Sequence, residues 1–415
     1  MPHGRLLILD DDAATGNTVR LIAESAGLTA RLATDPADFF RTVIDWRPTH
    51  IALDLVMPAM DGVEVLAQLA QRHCPARIII TSGVGHRVLE AAGRSAVEHG
   101  LDIAGVLPKP FSPKALRSLL VAMPAAETAA VESAVRTLPS TSATAAAPFE
   151  VTAAEVQRAL DERELYVVYE PKVECASGAL AGFEALVRWR HPQQGTIPPA
   201  RFVPVAETHG LIDRLTSQVL EQAIAWFRED FCAGDRRSAV GRCAVSTSPI
   251  SLSVNISART LKDPQFVERL IARCDRYGMG PGRLILELTE TSAMEDPVAA
   301  LDLLTRLRMK GFLLSIDDFG TGFSSLLQLV RLPFSEIKID SSFVMTAMQS
   351  AESRTAVKSV VDLGHSLGLC VVAEGVEDAQ TLEYLKRIGC DQAQGYFFAR
   401  PMEKDVISDW IARRR

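Results

Sequence analysis

Six residues able to bind cations close or interrupt short apolar runs between positions 184 and 374: Glu184, Asn255, Glu287, Asp317, Asp318 and Glu374. Leu252–Val254 leads into Asn255, Leu284–Leu286 into Glu287, Leu313–Ile316 into Asp317-Asp318 and Cys370–Ala373 into Glu374. If these residues converge, five carboxylates share one mouth. Two unit charges about 4 Å apart repel by about 4 kcal/mol at an effective dielectric near 20, so the set must be neutralised by protons or cations. An all-oxygen donor set favours Mg²⁺ or Mn²⁺ over zinc. Adjacent Asp317 and Asp318 suit two ions about 3.5–4 Å apart, and paired ions flanked by Lys338 and Arg188 match hydrolysis of a phosphodiester. Any one of these acids alone reads as a helix cap or a rim ion pair. The ordered set does not.

A second set lies nearer the N-terminus. Asp10-Asp11-Asp12 follow Leu6–Leu9, and Asp54 ends a run that begins at His50 and opens Asp54-Leu-Val-Met57-Pro58-Ala-Met60-Asp61-Gly62. Ser82 follows Arg77–Thr81, and Lys109 sits in Leu107-Pro108-Lys109-Pro110-Phe111. Three carboxylates at adjacent strand ends can hold Mg²⁺. One of them can then attack phosphorus while the metal and a lysine neutralise charge on the phosphoryl oxygens, and a nearby hydroxyl can sense the product.

The elements that must position these residues follow two rhythms. Up to about residue 123, strand-like runs at 6–9, 50–53, 77–81 and 104–107 alternate with amphipathic stretches such as Asn17–Ser25 and Val63–Gln71. That pattern predicts one doubly wound, flavodoxin-like parallel sheet. Residues 124–148 are rich in Ala, Ser and Thr, carry Pro124, Pro139 and Pro148, and read as a linker. In residues 149–415, Thr152-x-x-Glu155 predicts a capping box opening a helix to about Arg163. Beyond it, the polar positions Asn255, Glu287, Asp317, Lys338, Glu374 and Gln394 recur at intervals of 20 to 36 residues, the length of a strand, a helix and their loops. Such units over this length predict a (β/α)₈ barrel, whose strand ends would bring the polar residues to one mouth. Gly364-His-Ser-Leu-Gly368 mimics a hydrolase nucleophile elbow, but a helical stretch precedes it and a strand follows, the reverse of that motif's order.

Composition narrows the function classes. The chain has 415 residues, 47% of them hydrophobic and 23% charged, with a net charge of −7. That balance gives no basic footprint for DNA. No apolar run approaches the roughly 18 residues of a spanning helix, and Leu6–Leu9 ahead of three aspartates is too short for a signal peptide, so neither membrane insertion nor secretion is expected. Seven scattered cysteines without C-x-x-C point to reduced thiols and a cytoplasmic protein.

Residues 1–123 resemble the response-regulator receiver domain on the motifs just quoted. The resemblance implies Asp54 as phosphoacceptor, Asp10 and Asp11 with Asp54 as ligands of one Mg²⁺, Ser82 as the hydroxyl switch, Lys109 as the phosphate contact, and a sensor histidine kinase or phosphotransfer protein as partner. Receivers usually carry an aromatic residue where Val106 stands, which removes the customary rotamer switch. Residues 149–415 resemble the EAL domain family of cyclic di-GMP phosphodiesterases. The matching pieces are Glu184-Ala-Leu-x-Arg188, Asn255-x-Ser257, Glu287-Leu-Thr-Glu290, Asp317-Asp-Phe-Gly-Thr-Gly322, Lys338-Ile-Asp340, Ala373-Glu-Gly-Val-Glu377 and Gln394-Gly-Tyr396.

This second resemblance implies a modified TIM barrel that cuts cyclic di-GMP to linear pGpG with two Mg²⁺ or Mn²⁺ ions. Glu184, Asn255, Glu287 and Asp317 would bind one ion; Asp317 and Asp318 would bind the other. Lys338, Glu374 and Gln394 would surround the attacking water, with Glu374 as general base. Glu290 would brace the loop from Asp318 to Ser325, while Arg188, Glu170 and Glu377 would face substrate. A homo-oligomer is the family expectation. The sequence departs from the family at Glu170, usually Gln, where an extra acid weakens anion binding unless protonated, and at Ser335, usually an acid, where a loop anchor is lost. The stretch 232–249 reads as a surface insertion, and no G-G-D-E-F signature suggests synthesis of the nucleotide. The rival readings are a catalytically silent cyclic di-GMP receptor and a two-metal barrel that cuts another phosphodiester.

Overall fold

The structure, a computed structural model, describes residues 4–58, 60–83, 85–121, 150–232, 249–289, 296–320 and 326–414. The linker expected over 124–148, nearly all of the expected insertion, and Glu290 lie outside the described residues.

The N-terminal fold runs β1 (Arg5–Leu9), α1 (Ala13–Ser25), β2 (Thr29–Ala33), α2 (Pro36–Trp46), β3 (His50–Asp54), α3 (Gly62–Gln71), β4 (Arg77–Ser82), α4 (His86–Glu98), β5 (Ile103–Pro108) and α5 (Pro113–Val121). Its five strands pair in parallel in the order β2-β1-β3-β4-β5. Strands buried on both faces read as continuous apolar runs. Accordingly, Leu7 and Leu9 of β1 enter one core cluster while Leu6 and Ile8 enter the other. The strand order reverses between β1 and β3, which opens a crevice at their C-terminal ends.

The C-terminal fold opens with α6 (Ala153–Asp161), whose capping box is closed in both directions between Thr152 and Glu155. It continues through β6 (Leu165–Glu174), β7 (Leu180–His191), β8 (Gly195–Ile197), α7 (Pro199–Thr208), α8 (Ile212–Phe227), β9 (Ser251–Asn255), α9 (Phe266–Tyr277), β10 (Leu284–Thr289), α10 (Pro297–Met309), β11 (Leu313–Phe319) and α11 (Leu326–Arg331). It ends with β12 (Glu336–Ile339), α12 (Ser341–Thr346), α13 (Ala351–Ser366), β13 (Cys370–Ala373), α14 (Ala379–Ile388), β14 (Gln392–Gln394) and α15 (Lys404–Arg413). Strands β6-β14-β13-β12-β11-β10-β9-β7 form a ring closed by the β6–β7 pairing, with β8 appended to β7. The barrel departs from a regular (β/α)₈ fold in one strand: β6 runs antiparallel to both neighbours, so its C-terminal end points to the floor. Gly364–Gly368 forms the end of α13 and the turn into β13, as the order of its flanking elements predicts. Among the described residues, no helix is long and apolar enough to cross a membrane.

The two folds meet along α4 and α10. Asp302 accepts from Ser95 Oγ and pairs with His99 Nε2 at 2.7 Å. Arg306 Nε reaches Asp61 at 3.0 Å, Arg331 pairs with Glu98 at 3.0 Å, and Arg94 donates to the Arg331 carbonyl at 2.6 Å. Apolar contact accompanies these pairs, since Ala91 packs in the barrel core and Met309 against the N-terminal core.

Candidate active site

The crevice of the N-terminal fold places Asp10 just beyond β1 and Asp54 at the end of β3, both buried. Lys109 Nζ donates to each of them at 2.9 Å. Asp10, Asp11 and Asp54 can bring one oxygen each within 4.8 Å of one another, a spacing suited to a cation. The neighbouring Asp12 is engaged otherwise, capping α1 by accepting from Ala14 N and Thr15 Oγ1. Burial pushes the Asp54 pKa up, only partly offset by Lys109. Burial also works against the charge on Lys109, but its bonds to Asp54 and Asp10 outweigh it and raise its pKa. Ser82 ends the adjacent β4 fully buried, its carbonyl accepting from Lys109 N at 2.7 Å. Val106, which stands in place of the usual aromatic residue, lies against Gly93 of α4: a Cβ there would stand 2.9 Å from Val106 Cγ1. The glycine lets α4 close directly onto β5.

The barrel brings the second set together around one buried ammonium. Lys338 Nζ lies 3.2 Å from Glu184, 3.0 Å from Glu287, 3.1 Å from Asp317 and 2.6 Å from Glu374. Gln394 Nε2 donates to Glu184 at 2.7 Å and Glu374 at 3.2 Å, and Asn255 Nδ2 donates to Glu184 at 3.1 Å. Two triads have ligand-like spacing, Glu184-Glu287-Asp317 and Asp317-Asp318-Glu374, with Asp317 common to both. Successive residues of a regular strand point to opposite faces. The β11–β12 register shifts between Ile316 and Phe319, and Asp318 adopts φ 55°, a left-handed conformation that Asp tolerates better than most residues. This bulge lets two adjacent aspartates serve one mouth.

The electrostatics follow from five acids sharing one lysine. Burial and then the Glu184 charge push Glu287 up to about 8, in spite of Lys338. Burial likewise raises Glu374 well above the carboxylate range, and raises Asp318 to about 6 with help from Asp317. Burial opposes ionised Glu184 too, but Lys338, the Gln394 amide and Lys172 outweigh it and draw it down to about 2. Lys338 stays charged because its four acids overcome the cost of burial.

Other expected residues are placed differently. Glu170 stands directly across from Glu184 in the β6–β7 pairing, and burial followed by the Glu184 charge raises it to about 7. Arg188 lies in β7, with its guanidinium donating to the Val187 carbonyl at 2.8 Å. Glu377 is exposed, outside the buried set. Ser335 ties its own turn to β11: its hydroxyl donates to Leu314 O and accepts from Leu314 N, both at 2.9 Å. Sequence reasoning missed the fully buried Lys172 and its partners Ser253 and Glu336. Its signal was period two, since Lys172 follows Glu170 and Glu336 precedes Lys338 by two residues, on the same strand face.

Known families match both halves of the chain. Residues 153–401 match the EAL domain family, and residues 6–121 match the response regulator receiver domain. The chain is 35% identical over 360 residues to the cyclic di-GMP phosphodiesterase RocR of Pseudomonas aeruginosa, covering 86% of each protein. It is 40% identical over 258 residues to the bifunctional diguanylate cyclase/cyclic di-GMP phosphodiesterase MucR of the same organism, covering 62% of this chain and 31% of MucR. The structure of the PaMucR phosphodiesterase in its c-di-GMP complex superposes with a TM-score of 0.56 at 38% identity, covering 61% of this chain and 98% of that one.

Proposed function

Because this chain belongs to the EAL domain family and carries a response-regulator receiver domain ahead of its barrel, we propose that it hydrolyses cyclic di-GMP to linear pGpG with two divalent ions, under the control of phosphorylation at Asp54. Its enzyme class is cyclic di-GMP phosphodiesterase, the activity named for RocR, which it matches over 86% of each protein. The observation that carries the metal reading is the buried convergence of Glu184, Glu287, Asp317 and Glu374 on Lys338, with Asp318 beside them. Four carboxylates converge on a single positive charge, and the donors are all oxygen, so the residues fit Mg²⁺ or Mn²⁺.

Glu184, Asn255, Glu287 and Asp317 would hold one ion, and Asp317 and Asp318 the other. Bound ions would supply Lewis-acid activation of water and of the phosphodiester, stabilising both attacking and leaving oxygens. The chain's own groups do the rest. Glu374 accepts a proton from water, and Gln394 fixes its orientation through the 3.2 Å bond. Lys338 counters charge growing on the phosphoryl oxygens, and Arg188 binds a substrate phosphate at the mouth. In the receiver, a histidine kinase or phosphotransfer protein would phosphorylate Asp54, with one Mg²⁺ held by Asp10, Asp11 and Asp54. Helix α4, which follows the Ser82 strand, contacts α10 and α11, the helices before and after the Asp317-Asp318 strand. That contact supports control of the barrel by the receiver.

The test is purified full-length protein incubated with cyclic di-GMP and Mg²⁺ or Mn²⁺, with products separated and weighed by mass spectrometry. Metal-dependent pGpG, lost in Glu184→Ala, is the expected result. Intact nucleotide that co-elutes with the protein would replace the enzyme with a receptor.

A further inference from the structure

Below the mouth lies a second interior lysine that the proposed chemistry does not use. Lys172, on the reversed strand β6, is fully buried. Its ammonium donates to Ser253 Oγ on β9 at 2.6 Å and to Glu336 Oε1 on β12 at 3.4 Å, and it lies 3.7 Å from Glu287 Oε1 on β10. The side chain therefore reaches across the barrel and links three strands that are not its neighbours.

The two oxygens of Glu287 have different surroundings. Oε2 faces Lys338 at 3.0 Å. Among the described residues Oε1 has no hydrogen-bond donor, and the Lys172 ammonium is the cation near it. Lys338 contacts all three acids of the first triad, Glu184, Glu287 and Asp317, so it does not single out Glu287. Lys172 approaches Glu287 from the other side of its carboxylate. It is tied from below to Ser253 and Glu336, neither of which belongs to either ligand triad.

We propose that Lys172 is a positioning residue for the metal ligand Glu287, holding its Oε1 edge from the floor so that Oε2 is presented to the ion, with Ser253 and Glu336 fixing the lysine head. This rests on the metal reading above. The competing explanation is a buried ion pair that serves only stability, and such a pair can be replaced by well-packed apolar residues with little loss.

The full-length double variant Lys172→Met/Glu336→Leu separates the two. It removes one charge of each sign, so the net charge inside the barrel is unchanged. Mn²⁺ binding is measured by calorimetry without nucleotide, alongside thermal unfolding and turnover. Wild type that takes up no Mn²⁺ overturns the metal reading, and this inference with it. If wild type binds, the expected result is a cooperatively folding variant whose Mn²⁺ affinity and turnover both fall by about 10- to 100-fold, the usual cost of losing a group that orients a ligand. Wild-type affinity and turnover in a folded double variant would overturn the positioning role alone. If the double variant does not fold, Ser253→Ala decides, because it keeps every charge and removes only the 2.6 Å anchor. Severalfold weaker Mn²⁺ binding then supports the role, and unchanged binding refutes it.

Discussion

Both halves of this chain place a lysine among carboxylates at the ends of parallel strands, yet the two sites differ in their balance. In the receiver, Lys109 serves two buried aspartates and keeps a side-chain exposure of 22%. In the barrel, Lys338 serves four acids at an exposure of 1%. The receiver site sets three acids, counting Asp11, against one lysine that stays partly open to solvent. The barrel sets five acids around its lysine, and burial, followed by the charges of neighbouring acids, raises Glu287, Asp318 and Glu374. Similar residue types thus give two sites that differ in the number of acids and in the depth of burial.

The strongest test of that contrast is Glu374→Gln. Loss of a general base should lower kcat by about 10²- to 10⁴-fold while the protein still binds Mn²⁺, as steady-state kinetics beside calorimetry would show. A small change in kcat would assign the proton to another group.

Next comes Glu170, raised to about 7 against an ordinary 4.5. A carboxylate whose folded pKa is raised favours the folded state below its unfolded pKa and loses that advantage as pH climbs through 4.5 to 7. Each tenfold change in proton affinity is worth about 1.4 kcal/mol, so ionised Glu170 costs the metal-free fold up to about 3 kcal/mol above neutral pH. Glu170→Gln should stabilise metal-free protein at about pH 8 and not at about pH 4, read from urea midpoints. Equal effects at both values would mean that Glu170 carries no such penalty.

Metal itself should act unequally on the two halves. Saturating Mn²⁺, at about 100 times its Kd, should stabilise the barrel by about 2.7 kcal/mol, and Glu184→Ala should remove that gain. Asp54→Ala should leave it in place, whereas loss of the gain in Asp54→Ala would transfer the effect to the receiver. The smallest expected effect is at the contact between the folds. Asp302→Ala removes the partner of Ser95 and His99 and should leave basal turnover near wild type while abolishing its response to a small phosphodonor. A full response in that variant would rule out the α4–α10 contact as the route.

Much of this was legible in the sequence, for local reasons. The β1 run Leu6–Leu9 needed only neighbouring residues to specify a doubly covered strand, and Thr152 with Glu155 closed a capping box three residues apart. The polar residues at strand ends were legible because spacing alone assigned Asn255, Glu287, Asp317 and Glu374 to separate units of one barrel. Lys172 escaped notice because a lysine bound for the interior has the same local pattern as one bound for solvent. Its partners lie 81 and 164 residues away.

The sequence by itself determined the two fold types and the identity of nearly every acid in the two sites, because these depend on periodicity and residue chemistry over short stretches. Only the tertiary structure decided that β6 runs against its neighbours, that Asp317 and Asp318 both face the mouth, that Lys172 crosses the floor to Glu287, and that α4 rests on α10. Those features depend on closing the ring and packing one fold on the other. Such contacts join segments far apart in the chain, and no local pattern encodes them.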